Sequence, residues 1–186
     1  MITAISIDMN KIETKIPGCF IIEPKHFADH RGDFVKVFHS EMFEQLGLES
    51  SFKEEYYSIS KKGVLRGLHF QVPPHDHVKC IGCLQGEIFD AVVDLRKNSP
   101  TYGQHVTFHL MGTEPKVIYI PKGLAHGFVA LSMNALFLNK TTTVFHGDSD
   151  KGIRWDSCGI EWPEMIFSLS EKDKHMPTFD EFESPF

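Results

Sequence analysis

The chain has 186 residues, 41% hydrophobic and 24% charged, with a formal net charge of -6 at pH 7. This is ordinary globular composition, long enough to bury a core without disulfides or metals, and it predicts a single domain over residues 1–186. The acidic balance and the lack of a basic stripe argue against nucleic acid as a partner, and no apolar run reaches the ~20 residues that span a bilayer.

The opening Met1-Ile2-Thr3-Ala4 lacks the basic and apolar blocks of a secretory signal, so a cytoplasmic location is expected. Residues 1–16 read as an N-terminal extension. Apolar runs then predict strands at residues 18–23 and 34–38, with a helical turn or two at 41–46. Further strands are predicted at residues 56–60, 78–84, 87–95, 105–110, 116–120, 127–130, 135–143 and 159–162. Turn chemistry separates them: Gly32-Asp33, Lys61-Lys62-Gly63, Pro73-Pro74, Asn98-Ser99-Pro100, Pro121-Lys122-Gly123 and His146-Gly147-Asp148. In the tail over residues 168–186, Ser170 ahead of Glu171 and Asp173 predicts a capped helical turn. Many short strands with almost no helical periodicity indicate an all-β antiparallel sandwich or barrel, and sixteen Phe residues supply its packing.

Four cysteines include the pair Cys80-Ile81-Gly82-Cys83. In a strand, residues three apart face opposite sides, so these read as buried or incidental thiols in a reducing compartment. Two histidine segments carry more: Arg66-Gly67-Leu68-His69-Phe70, and the run from Pro121 to Phe128 that contains His126. An imidazole among apolar neighbours is a natural proton carrier near neutral pH. By themselves, Asp173 would be an exposed helix-face carboxylate, Lys79 a strand-edge lysine and His126 a buried structural histidine.

Pro121-x-Gly123-x-x-His126 matches the second motif of the cupin jelly roll, and His75-x-His77 resembles its first. Metal-binding cupins place a glutamate four or five positions after that pair, and no carboxylate stands there. A three-histidine metal site from His69 or His75 with His77 and His126 is one reading. A solvated turn after Pro73-Pro74 is the other.

The longer string is more specific. Tyr57-Ser58, then residues 61–71 with Arg66-Gly67-Leu68-His69-Phe70-Gln71, lead to Gly86-Glu87-Ile88-Phe89-Asp90 and Val93-Asp94-Leu95-Arg96. Ser99-Pro100-Thr101-Tyr102-Gly103, residues 120–128, Gly152-Ile153-Arg154-Trp155 and Glu161-Trp162-Pro163 follow in order. From about residue 16 to 173 the chain resembles the dTDP-4-dehydrorhamnose 3,5-epimerase family, metal-free nucleotide-sugar epimerases of the cupin superfamily. The resemblance implies a double-stranded β-helix or jelly-roll barrel with short flanking helical turns. It also implies a nucleotide-diphosphate 4-keto-6-deoxy sugar as substrate, no cofactor, and a homodimer with strand exchange.

The implied chemistry is an enolate mechanism, because the C4 ketone acidifies the hydrogens at C3 and C5. By position, His69 would be the base, Asp173 its partner, and Lys79 the charge beside the developing enolate oxygen. Arg66 and His126 would line the pocket. Arg31 resembles the arginine that binds the diphosphate, and it would reach a neighbouring subunit's site.

The family's acid tyrosine, in a Leu-Tyr-Lys context, is replaced in Phe137-Leu138-Asn139-Lys140, and an amide at Asn139 does not donate as a phenol does. The next tyrosine-rich stretch reads Thr143-Val144-Phe145-His146. Inversion at C3 alone is therefore the first expectation. The others are a proton from water, Tyr56 or Tyr57, or a keto-sugar isomerisation. Near the nucleotide base, Lys36 replaces a glutamate, while Glu54 and Tyr56 replace a glutamine and an asparagine. This trio would suit guanine over thymine, and so a GDP-linked hexose or heptose rather than a dTDP-linked sugar; a simple exposed strand lysine at Lys36 is the other reading. A metal-dependent dioxygenase and a non-catalytic sugar-nucleotide binder are the rival functions.

Overall fold

The computed structural model describes residues 9–186. The Met1-Ile2-Thr3-Ala4 opening and the first half of the expected extension lie outside them. The extension's remaining residues supply a strand, β1 (Met9–Glu13), followed by β2 (Phe20–Pro24), β3 (His26–Asp29), β4 (Gly32–Val35) and helix α1 (Ser40–Gln45). Then come β5 (Glu54–Lys61), β6 (Leu65–Gln71), β7 (Lys79–Gln85), β8 (Glu87–Asp94) and β9 (His105–Met111). The chain continues through β10 (Val117–Ile120), β11 (Leu124–Ala130), β12 (Asn134–Thr141), β13 (Asp150–Gly152) and α2 (Glu171–Lys174).

Two antiparallel sheets face each other in a cupin-type barrel. One runs β1-β2-β10-β7-β12-β5, the other β13-β6-β11-β8-β9, and β3 pairs with β4 in a separate hairpin. Alternation along the strands makes the layers. Ile81 and Cys83 of β7, Ala135 and Phe137 of β12, and Ile88 and Val92 of β8 fill the space between the sheets. Cys80, one residue out of phase, packs outside with Phe43 of α1, so the two thiols of the CxxC spacing lie on opposite faces. A third cluster covers the outer face of the second sheet, where Phe179, Phe182 and Phe186 of the tail pack near Phe70 and Leu95.

Two sequence expectations need correction. Residues 159–162 are not a strand: Trp162 instead packs its ring on Phe89 and donates its indole N–H to Trp155 O at 2.9 Å. The run at 34–38 stops pairing at Val35, because β4 is half of the outlying hairpin rather than a barrel strand. Conversely β6, the strand that carries His69, shows no clean alternation, since most of its residues are buried on both faces. Gly67 and Gly127 permit its close approach to β11. A Cβ on Gly67 (φ +135°) would stand 2.5 Å from Gly127 Cα.

Beyond the barrel floor, Asp94 organises the 94–101 turn. Fully buried, it accepts from Arg96 Nε at 2.9 Å and Nη2 at 2.8 Å, and from Ser99 Oγ and Thr101 Oγ1 at 2.6 and 2.7 Å. Burial alone would raise its pKa, but these donors hold it down to about 2. Its stabilisation is therefore present above the ordinary carboxylate range and lost as pH falls toward about 2. Asp94→Ala is expected to cost about 3 kcal/mol, read as a thermal midpoint lower by roughly 6–12 °C. No helix among the described residues is long and apolar enough to cross a membrane.

Candidate active site

One end of the barrel opens into a cavity of about 390 Å³ between the two sheets. The six-stranded sheet contributes Glu54, Tyr56 and Ser58 from β5, Lys79 from β7, and Phe137, Asn139 and Thr141 from β12. The other sheet contributes Arg66 and His69 from β6 and His126 and Phe128 from β11. Asp173 closes it from α2.

His69 and His126 are directly opposite on neighbouring strands, and each has its own carboxylate. His69 Nε2 lies 2.6 Å from Asp173 Oδ1. The predicted cap delivers that carboxylate: Ser170 Oγ accepts from Asp173 N at 3.1 Å, and Asp173 turns inward, the residue only 3% exposed. Burial would raise the Asp173 pKa, but the hydrogen bond and charge of His69, with help from Ser170 and Lys172, bring it below the usual value. His126 Nε2 lies 2.7 Å from Asp90 Oδ2, both groups buried. Asp90 was not singled out from the sequence. The available signal was a carboxylate at an inward position of β8, in phase with Ile88 and Val92.

Lys79 stands inward at the cavity end of β7, only 7% exposed, and donates from Nζ to His69 O at 3.1 Å. Burial pushes its pKa down to about 8; Asp150 and Asp90 oppose that shift and Lys172 adds to it. An ammonium has three hydrogens, so donors remain for a ligand oxygen. Arg66 Nε donates to Ser60 Oγ at 3.0 Å, which fixes its guanidinium at the mouth.

At the rim, Glu54 Oε2 accepts from Phe145 N at 2.5 Å, and Gln71 Oε1 accepts from His146 N at 2.6 Å. These bonds tie the loop after β12 to β5 and β6. His75 and His77 are built into the same region rather than solvated: His75 stacks on His146, and His77 Nδ1 lies 3.1 Å from Thr143 Oγ1. Burial, then Lys79 and Lys122, push His77 down to about 3, so its imidazole is neutral. Among the described residues, no three or more His, Cys, Asp or Glu side chains are grouped to hold a metal ion.

Arg31 and Lys36 are not brought into this cavity within one chain. Arg31, in the β3–β4 hairpin, is 79% exposed at its side chain and pairs with Asp29.

A family model described as dTDP-4-dehydrorhamnose 3,5-epimerase matches residues 13–181. The chain belongs to the dTDP-4-dehydrorhamnose 3,5-epimerase family. It is 44% identical over 168 residues to the family's enzyme from Shigella flexneri, covering 89% of this chain and 93% of that protein. Among solved structures it is similar to dTDP-6-deoxy-D-glucose-3,5-epimerase RmlC from Legionella pneumophila Philadelphia 1, in complex with dTDP-4-keto-L-rhamnose. That match has 39% identity and a TM-score of 0.91, covering 95% of each chain. It is also similar to ChmJ, a 3'-monoepimerase from Streptomyces bikiniensis in complex with dTDP-quinovose. There the identity is 28% and the TM-score 0.87, over 91% of this chain and 88% of that one. Membership of the family makes the chain an isomerase-class carbohydrate epimerase.

Proposed function

We propose that the chain epimerises a nucleotide-diphosphate 4-keto-6-deoxy sugar by proton abstraction beside the C4 ketone, inverting C3. The observation that carries this reading is the convergence of His69, Asp173 and Lys79 on one cavity. His69 Nε2 is committed to Asp173, which leaves Nδ1 to take the proton. The carbon's electron pair passes to the C4 oxygen, and the remaining hydrogens of Lys79 stabilise that enolate. His126 and Arg66 hold the sugar and its phosphates. The similar ChmJ is itself a 3'-monoepimerase, which supports action at C3 alone.

The nucleotide is read as dTDP, by likeness to relatives whose structures hold dTDP-sugars. A GDP-linked sugar is the second reading, favoured by Lys36 and Glu54; one Glu54 oxygen is already taken by Phe145 N. Arg31, exposed and outside its own chain's cavity, supports a homodimer in which it meets the diphosphate in the partner's cavity.

Incubation with dTDP-4-keto-6-deoxyglucose in deuterated water, followed by NMR, tests the reaction. One deuteron at C3 with inversion there is expected. Label and inversion at both C3 and C5 would replace single-centre action with double epimerisation, and label at neither carbon would remove the enolate reading. By calorimetry dTDP is expected to bind more tightly than GDP; the reverse order would install the guanine reading.

A further inference from the structure

Inversion at any carbon requires a proton on the face opposite the base, and Asn139 removes the family's tyrosine donor. The structure places another phenol at that point. Asn139 of β12 is in direct register with Tyr56 of β5, and Asn139 Nδ2 donates to Tyr56 Oη at 2.6 Å. The sequence departs from the family pattern at both positions, with asparagine and tyrosine exchanged across the two strands. Resting on the enolate reading above, we propose that Tyr56 is the catalytic acid of this chain, held in place by Asn139 as a positioning residue.

The placement has the required sense. His69 enters the cavity from the five-stranded sheet and Tyr56 from the six-stranded one, so a sugar ring lying between the sheets turns one face to each. Because Asn139 donates to the phenol oxygen, the phenol's own hydrogen is left for the substrate. Asn139 Oδ1, buried and without a partner among the described residues, offers an acceptor beside it for a ligand hydroxyl. Alternation along β5 separates the two neighbouring tyrosines. Tyr56 lines the cavity, while Tyr57 does not and is 69% exposed.

The phenol holds its proton until needed: burial, opposed by the Asn139 bond and assisted by Glu54 and Asp150, raises its pKa above the ordinary 10.0. In the step itself, His69 removes hydrogen from C3 and the C4 oxygen becomes an enolate. The enolate then collapses to the ketone as C3 takes the Tyr56 proton from the opposite side. The resulting phenolate recovers a proton from water, since Tyr56 as a whole is 47% exposed, and His69 releases its proton to solvent.

Exchange and inversion separate this role from a structural one. In deuterated water Tyr56→Phe is expected to keep label uptake at C3, because His69 returns solvent deuterons to the same face. Inversion should fall about 100-fold or more. Tyr56→Asn should behave likewise, and the double variant Tyr56→Asn/Asn139→Tyr, which restores the family arrangement, should recover inversion. Inversion by Tyr56→Phe at the wild-type rate, or no recovery in the double variant, would overturn the assignment of Tyr56 while leaving the enolate reading intact. Absence of exchange in the wild-type enzyme would overturn both.

Discussion

His69→Asn is expected to lose label uptake and inversion together, with turnover lower by about 10³-fold, because it removes the base that Asp173 orients. This joint loss contrasts with Tyr56→Phe, in which exchange persists. Asp173→Asn preserves shape and the backbone bond to Ser170 but removes the charge that stabilises an imidazolium at His69. Turnover is expected to fall by about 10²–10⁴-fold, measured by NMR of the sugar product alongside a thermal melt that shows the fold retained. Asp173 also ties stability to pH. Its lowered pKa means the contribution is present above the ordinary value of 3.8 and is lost on acidification below it.

Lys79→Met is expected to reduce kcat/KM by about 10²–10³-fold, the scale of removing one preorganised charge from a developing oxyanion. Its pH signature is specific. Lys79 loses its proton as pH rises through about 8, so wild-type kcat/KM should decline on that limb. The decline should be absent in the residual activity of the variant. The limb does not belong to Tyr56, whose phenol is shifted upward from 10.0. Stability moves in the opposite sense to activity. Between about 8 and 10.5 the unfolded chain holds a proton that native Lys79 has released, so wild-type stability rises with pH over that window. At pH 7 the buried ammonium is a burden, and Lys79→Met should be about 2 kcal/mol more stable by denaturant titration while less active. A variant both less active and less stable would assign Lys79 a packing role instead.

Local pattern determined a large part of this protein. Period-two alternation in β12 shows which of its side chains face the barrel interior, and the turn residues between apolar runs set the strand succession. Ser170 ahead of Asp173 announces the cap that the structure contains. The motif string identifies His69, Lys79 and Asp173 by resemblance, although composition alone would have left the last two on the surface.

Tertiary closure decided the rest. His69 and Asp173 are 104 residues apart, and Tyr56 and Asn139 are 83 apart. Nothing local encodes either meeting, because a strand's pattern fixes which face is buried but not which residue stands across from it. Register does that: the pairing of β5 with β12 turned two separate departures from the family pattern into one hydrogen-bonded pair. The same limit hid β6, whose burial on both faces erases alternation, and lent 159–162 the look of a strand although Trp162 packs there with no neighbouring strand to pair with. The sequence by itself settled the succession of strands and turns; sheet register and barrel closure settled which polar residues turn inward and which of them meet, because both depend on partners far away in the chain.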